Sequence, residues 1–127
     1  MVWSQLRNLI VPLTKKELAC HDPKAVLLPI GKMLFPYAWF GAIVPTQIIE
    51  IGNLVIVGAP AEFTTMAGRR IINDVEKIYK RYGRDVHVIF NGLANSYTNY
   101  VVTPEEYQAQ RYEGGSTLFG PNTLDVS

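Results

Sequence analysis

Thr46-Gln47-Ile48-Ile49-Glu50-Ile51-Gly52-Asn53-Leu54-Val55-Ile56-Val57, running on into Gly58-Ala59-Pro60-Ala61-Glu62, decides the fold. Two β-rich runs flank the pair Gly52-Asn53, and two residues of that type between strand-forming runs predict a tight hairpin. The second run leads into a long amphipathic helix. Its apolar residues Ile71, Ile72, Val75, Ile78, Tyr79 and Tyr82 recur at three- and four-residue spacing, while Arg70, Asp74, Lys77 and Arg81 fall on the other side. Thr64 or Thr65 is its N-cap, and Gly83 closes it as a left-handed cap. Asp85 to Phe90 reads as a further strand with Val86, Val88 and Phe90 on one face. Strand, helix and strand in that order predict an α/β (α+β) fold, and the hairpin makes the sheet mixed, with flanking helices.

Working outward, the upstream part is less regular. Trp3, Leu6 and Ile10 fall on one side of a short helix. Thr14-Lys15-Lys16-Glu17 has capping-box spacing and opens a brief helix to about Cys20. Asp22-Pro23 ends it, because the residue before proline is pushed out of the helical region. Ala25 to Ile30 is a continuous apolar run of strand length and is expected as a buried strand. Residues 31–45 interleave Gly31, Pro36, Gly41 and Pro45 with Phe35, Tyr37, Trp39 and Phe40, an irregular stretch with sticky side chains. Downstream, Asn91 to Val102 is a polar loop rich in tyrosine. Thr103-Pro104-Glu105-Glu106 combines an N-cap, proline at the first helical position and a capping-box glutamate, so a short helix should run to about Gln110. From Gly114 the tail reads as loop, then as the opening turn of a helix.

With 127 residues, the chain has enough length for one modest domain but little for a hydrolase with its own substrate pocket. Residues that are 48% apolar and 18% charged suit a packed interior rather than disorder. A formal net charge of +1 gives no basic surface for nucleic acid, and the pairs Lys15-Lys16 and Arg69-Arg70 read as solvated helix faces. Cys20 is the one cysteine, which excludes an internal disulfide and a CxxC metal motif. The opening residues carry no signal-peptide pattern, and no apolar run approaches the ~20 residues of a membrane-spanning helix.

The residues place chemistry at two strand-end junctions without naming a reaction. HExxH, Walker, GxSxG and GxGxxG patterns are all absent. His21 and His87 are the two histidines, too few for a three-ligand zinc site; His87, mid-strand, reads as a hydrogen-bonded or surface imidazole, and His21, beside a turn, as a cap of the preceding helix. Glu62 stands between a strand and a helix start, where α/β proteins place functional groups and the helix dipole favours a carboxylate. Decoration of the helix start is the alternative reading. Tyr97, Tyr100, Tyr107 and Tyr112 surround the second junction. Phenols can donate to a developing oxyanion or bind a cation, and they can equally pack their rings and satisfy their hydroxyls at the surface.

Longer motifs add what spacing alone does not. Gly58-Ala59-Pro60-Ala61-Glu62-Phe63-Thr64-Thr65-Met66-Ala67-Gly68-Arg69-Arg70 resembles the PGEFTTMxGRR segment of the neutral ceramidases. Gly92-Leu93-Ala94-Asn95-Ser96-Tyr97-Thr98-Asn99-Tyr100 resembles their GLxNxYxxY segment. Thr103 to Gly114 is similar to TxEEYQxQRYEG, and Ser116-Thr117-Leu118-Phe119-Gly120-Pro121 continues the likeness. Upstream, Cys20-His21-Asp22-Pro23-Lys24 followed by Leu27-Leu28 resembles CHxPKxxLL. Ala61 departs from the pattern, which usually has glycine before the glutamate.

What the resemblance implies is a fragment from the C-terminal part of a zinc amidase catalytic domain that cleaves the amide of ceramide to sphingosine and a fatty acid. It implies Glu62 and Tyr100 as ligands of one Zn²⁺, and Tyr112 as the phenol that helps stabilise the tetrahedral oxyanion, with Tyr97 nearby. The family's two zinc-binding histidines, its GDxSPN serine segment and its immunoglobulin-like domain have no counterpart here, and Ser4, Ser96, Ser116 and Ser127 lack the serine context. A partial domain is therefore expected, one that alone neither holds zinc tightly nor hydrolyses ceramide. Trp39 and Phe40 are then expected at an exposed surface that packs on the upstream half. The complete family members are expected to be secreted or membrane-associated and to work at a membrane surface. Two other readings stay open: a non-catalytic relative that binds a subunit or lipid, and a metal-dependent amidase for a different N-acyl lipid.

Overall fold

The computed structural model describes residues 2–41 and 43–126. Strand β1 (Gln47–Ile51) and strand β2 (Leu54–Gly58) form the expected hairpin, antiparallel with Ile49 opposite Ile56. Gly52 takes a φ of 64°, the left-handed backbone that the favoured two-residue hairpin turns require at their first central position. After the short strand β3 (Glu62–Phe63), helix α3 (Thr65–Arg81) carries the chain back, and strand β4 (His87–Asn91) pairs with β2 in parallel. The sheet order is β1-β2-β4, mixed as expected, with α3 as the crossover that a parallel pair needs. Strand β5 (Tyr100–Val101) then pairs with β3, also in parallel.

Helix α3 begins at Thr64, whose hydroxyl accepts from the Ala67 amide, and ends with Lys80 and Arg81 in its last turn, where cations suit the helix dipole. Gly83 follows with a φ of 72°, the expected left-handed cap. Ile71, Ile72, Val75 and Tyr79 cover the sheet residues Val55, Val57 and Val88. Val55 is fully buried, and enclosing a side chain of that size contributes about 1.5–3 kcal/mol. Ile78 and Tyr82 do not join this face: both are exposed, Tyr82 as the C-cap residue just past the helix. The Tyr79 hydroxyl donates to Glu50, which also pairs with Arg84 at 2.8 Å, so the helix end is tied to β1. A second core cluster joins Ala61, Ala67, Val101 and Leu124, with Ile71 packed against both clusters.

The upstream segment departs from expectation at two places. Ala25–Ile30 forms no strand; a 3-10 turn occupies Ile30–Lys32 instead. The Val26 carbonyl accepts a hydrogen bond from the Arg7 guanidinium at 2.7 Å, Pro29 offers no backbone donor, and Leu27 is exposed. Among the described side chains of helix α1 (Val2–Ile10), Arg7 is the buried one, while Leu6 and Ile10 face outward; the Trp3 side chain lies outside the described residues. Helix α2 (Lys15–Ala19) has the expected Thr14–Glu17 capping box. Trp39 is exposed, and Phe40 is partly covered by the edge of Phe119 at 5.5 Å.

Downstream, helix α4 (Pro104–Tyr107) starts at the predicted N-cap but stops short of Gln110. The Gly114-Gly115 pair lies inside a further short helix, α5 (Tyr112–Gly115), rather than in a loop, and a 3-10 turn spans Leu124–Val126. No helix among the described residues is long and apolar enough to cross a membrane.

Candidate functional site: a carboxylate facing a phenol

Strands β3 and β5 are two residues long and form a sheet of their own; β3 follows β2 after three residues, and β5 follows β4 after an eight-residue connection. Backbone bonds lace the two connections together. The Leu93 and Ala94 amides donate to Ala61 and Ala59, each at 3.0 Å, and Thr98 donates to the Pro60 carbonyl from both its amide and its hydroxyl. The Glu62 amide donates to Asn99 at 2.9 Å, and the Thr64 amide to Val101 at 3.1 Å. Leu93, Asn95 and Asn99 take left-handed φ values of 56°, 65° and 64° to make these bends. Asparagine tolerates that backbone through local side-chain hydrogen bonds, whereas Leu93 gives up roughly 1–2 kcal/mol there. Ala61, where the family pattern has glycine, is buried and is not among the left-handed residues, so its methyl is accommodated.

Gly92 is held by contact rather than by φ. A Cβ there would stand 2.9 Å from the Ala61 carbonyl oxygen, next to Glu62. Gly92→Ala is therefore expected to force these two connections apart and to destabilise the chain by about 1–3 kcal/mol, read from urea unfolding midpoints.

The outcome of this lacing is that Glu62 and Tyr100 sit directly opposite each other in the β3–β5 register. The Tyr97 hydroxyl donates to Glu62 Oε1 at 2.6 Å, and the Tyr112 ring meets the Tyr100 ring edge to face at 5.4 Å between centroids. The Tyr100 and Tyr97 phenols hold the Glu62 carboxyl below its usual range. In return, the hydrogen bond and charge of Glu62 push the Tyr100 phenol well above its ordinary value, and that of Tyr97 upward as well. All four side chains reach solvent, Tyr112 being 74% exposed. Beside them lies an open cleft of about 450 Å³, lined among others by Thr64, Glu106, Arg111 and Glu113.

The donor set suits part of a metal site. A carboxylate facing a phenol offers oxygen donors of the kind a cation takes, and the carboxylate here is the acceptor and the phenol the donor of their hydrogen bond. Two ligands fall short of the three or four protein ligands of a zinc centre. Neither histidine completes the set: His87 stands at the opposite end of β4, paired with Leu54, and His21 lines a separate cleft with Lys24 and Tyr107. Among the described residues, no group of three or more His, Cys, Asp or Glu side chains could hold a metal. Thus Glu62, Tyr100 and Tyr112 are brought together with Tyr97, and the histidines are not. Tyr107 is placed elsewhere, 2% exposed, with its hydroxyl donating to the His21 carbonyl at 3.1 Å.

The chain is similar to known proteins along nearly its whole length. The chain is 49% identical to neutral ceramidase of Drosophila melanogaster over 126 residues, covering 98% of this chain and 18% of that protein. It is likewise 49% identical over 128 residues to neutral ceramidase of Oryza sativa subsp. japonica, covering 98% of this chain and 16% of that protein. A crystal structure of neutral ceramidase from Pseudomonas aeruginosa superposes with a TM-score of 0.82 at 46% identity, over 90% of this chain and 18% of that one. The chain thus spans less than a fifth of the length of these relatives. The profile of neutral/alkaline non-lysosomal ceramidases, N-terminal, matches residues 1–127, and the chain belongs to that family.

Proposed function

We propose that this chain is the part of a zinc-dependent ceramidase that supplies two metal ligands and one oxyanion donor. It derives from the C-terminal part of the catalytic domain. The observation that carries the reading is the in-register placement of Glu62 opposite Tyr100, with Tyr112 against the Tyr100 ring. The substrate is ceramide or a related N-acyl sphingolipid, cleaved to sphingosine and a fatty acid. Zinc, when bound, acts as a Lewis acid on the amide carbonyl and lowers the pKa of bound water. Glu62 and Tyr100 would hold the cation. Tyr97 orients the Glu62 carboxylate by donating to Oε1. Tyr112 is exposed, and its hydroxyl is the donor that would face the developing oxyanion. The remaining ligands and the residue that activates the attacking group come from the rest of the protein. The complete enzyme acts at a membrane surface, secreted or held outside the cell.

Expression of the complete coding sequence tests this. Its product should retain one zinc per chain by elemental analysis and turn over a fluorogenic ceramide. The 127-residue chain alone should retain no zinc and show no turnover. Stoichiometric zinc in the isolated chain would overturn the shared-site reading. A complete product that cleaves another N-acyl lipid but not ceramide would overturn the substrate.

A further inference from the structure

Two capping boxes occur in this chain, and they differ. Glu17 serves the Thr14 cap of α2 and pairs with Lys32, ending at a surface. Glu106 serves the Thr103 cap of α4 in the same way, with its Oε2 accepting from the Thr103 amide at 2.9 Å. That same oxygen also accepts from the Thr64 hydroxyl at 2.7 Å, and Thr64 is the cap of a different helix, α3. Local capping explains the first bond and not the second.

Thr64 lies two residues after Glu62, and Thr103 three residues after Tyr100. The Thr64 hydroxyl is used in both directions, donating to Glu106 and accepting from the Ala67 amide, so the carboxylate fixes its rotamer. One carboxylate oxygen thus joins the two segments that leave the facing pair, on a floor formed by buried Thr103 and Val102. A two-residue ladder has little stability of its own, and an acceptor shared across its exit supplies what strand length does not. Glu105 next to it is a natural control: it is exposed and pairs with Arg70 on the surface at 2.8 Å.

We propose that Glu106 is a positioning residue that clamps the Glu62 segment to the Tyr100 segment and so sets the spacing of the facing pair. It touches neither side chain of the pair. The inference rests on the reading of that pair as metal ligands, and the two are tested separately.

Amide hydrogen exchange by NMR on this chain reads the clamp directly, through the Glu62 and Thr64 amides that bridge β3 to β5. Losing a hydrogen bond to a charged acceptor should raise their exchange about tenfold in Glu106→Ala. The Ile56 and Ile89 amides of the main sheet should move less than about twofold. Glu106→Gln keeps an oxygen that can accept both bonds and should restore most of the protection; Glu105→Ala should leave it unchanged. If alanine unfolds the chain, Thr64→Ser and Thr64→Val carry the same test, serine retaining protection at Glu62 and valine losing it. Equal acceleration across both sheets, or none at Glu62 and Thr64, overturns the clamp. In the complete enzyme, Glu106→Ala should lower kcat about tenfold with KM within twofold, and Glu106→Gln should recover it. Unchanged kcat overturns the catalytic consequence while leaving the exchange result standing. Full turnover in Glu62→Gln would instead show that the ligand reading is at fault.

Discussion

In a complete ceramidase carrying this chain, Glu62→Gln is expected to lower kcat by on the order of 10³-fold, beyond the 10–100-fold typical of outer-shell partners of a metal. Glutamine keeps the shape of the side chain and an oxygen that can still accept from Tyr97, so the neighbouring loop has no reason to move. What it removes is the negative charge opposite Tyr100. With that charge gone, the largest cause of the raised Tyr100 phenol is weakened, and the pair loses the anionic oxygen that a zinc ion would bind. Zinc content and turnover of a fluorogenic ceramide should therefore fall together. A loss below tenfold with zinc retained would remove Glu62 from the ligand set.

The second large effect concerns folding. Tyr107→Ala is expected to destabilise the chain by about 3–5 kcal/mol, the range for deleting a buried aromatic side chain. Tyr107 is 2% exposed, its hydroxyl reaches the His21 carbonyl, and Lys24 Nζ stands 5.1 Å from its ring centre. Lys24 in turn donates to Ala109 and Gln110, at 2.8 and 2.9 Å. This one ring joins the upstream segment to α4, so its loss opens a cavity and unties two parts of the chain. Set against the 5–15 kcal/mol typical of whole domains, the change should be visible as a large drop in the urea midpoint. Tyr107→Phe should recover most of it, since only one hydrogen bond is then missing.

These two residues also mark how far the sequence could be read. Hairpin, helix and return strand were legible because each carries a local signature: Gly52-Asn53 for the turn, a 3.6-residue repeat for α3, and Gly83 for its end. The Ala25–Ile30 run misled for the reason that a short apolar stretch has no period of its own, and its backbone is claimed by Arg7 and a 3-10 turn. Glu62 could be singled out from its place between a strand and a cap. Its partner Tyr100 could not be read from spacing, because a two-residue strand has no alternation to detect and its mate lies beyond a helix and another strand. Only the long motifs shared with ceramidases brought the two together before any coordinates did. The second bond of Glu106 left no sequence signal, since S/T-x-x-E reads as a cap and says nothing of a third group.

The parallel ladder of β3 and β5 has a kinetic consequence. Each strand follows a longer one in the chain, β3 after β2 and β5 after β4, and the chain between β2 and β4 contains the whole of α3. Closing that loop is an entropic cost met before any contact at the site can form. The facing of Glu62 and Tyr100 is thus a non-local contact, expected late in folding rather than at its start. A chain that holds its hairpin and its helix but has not yet paired β2 with β4 lacks the β3–β5 register, and with it the facing of Glu62 and Tyr100.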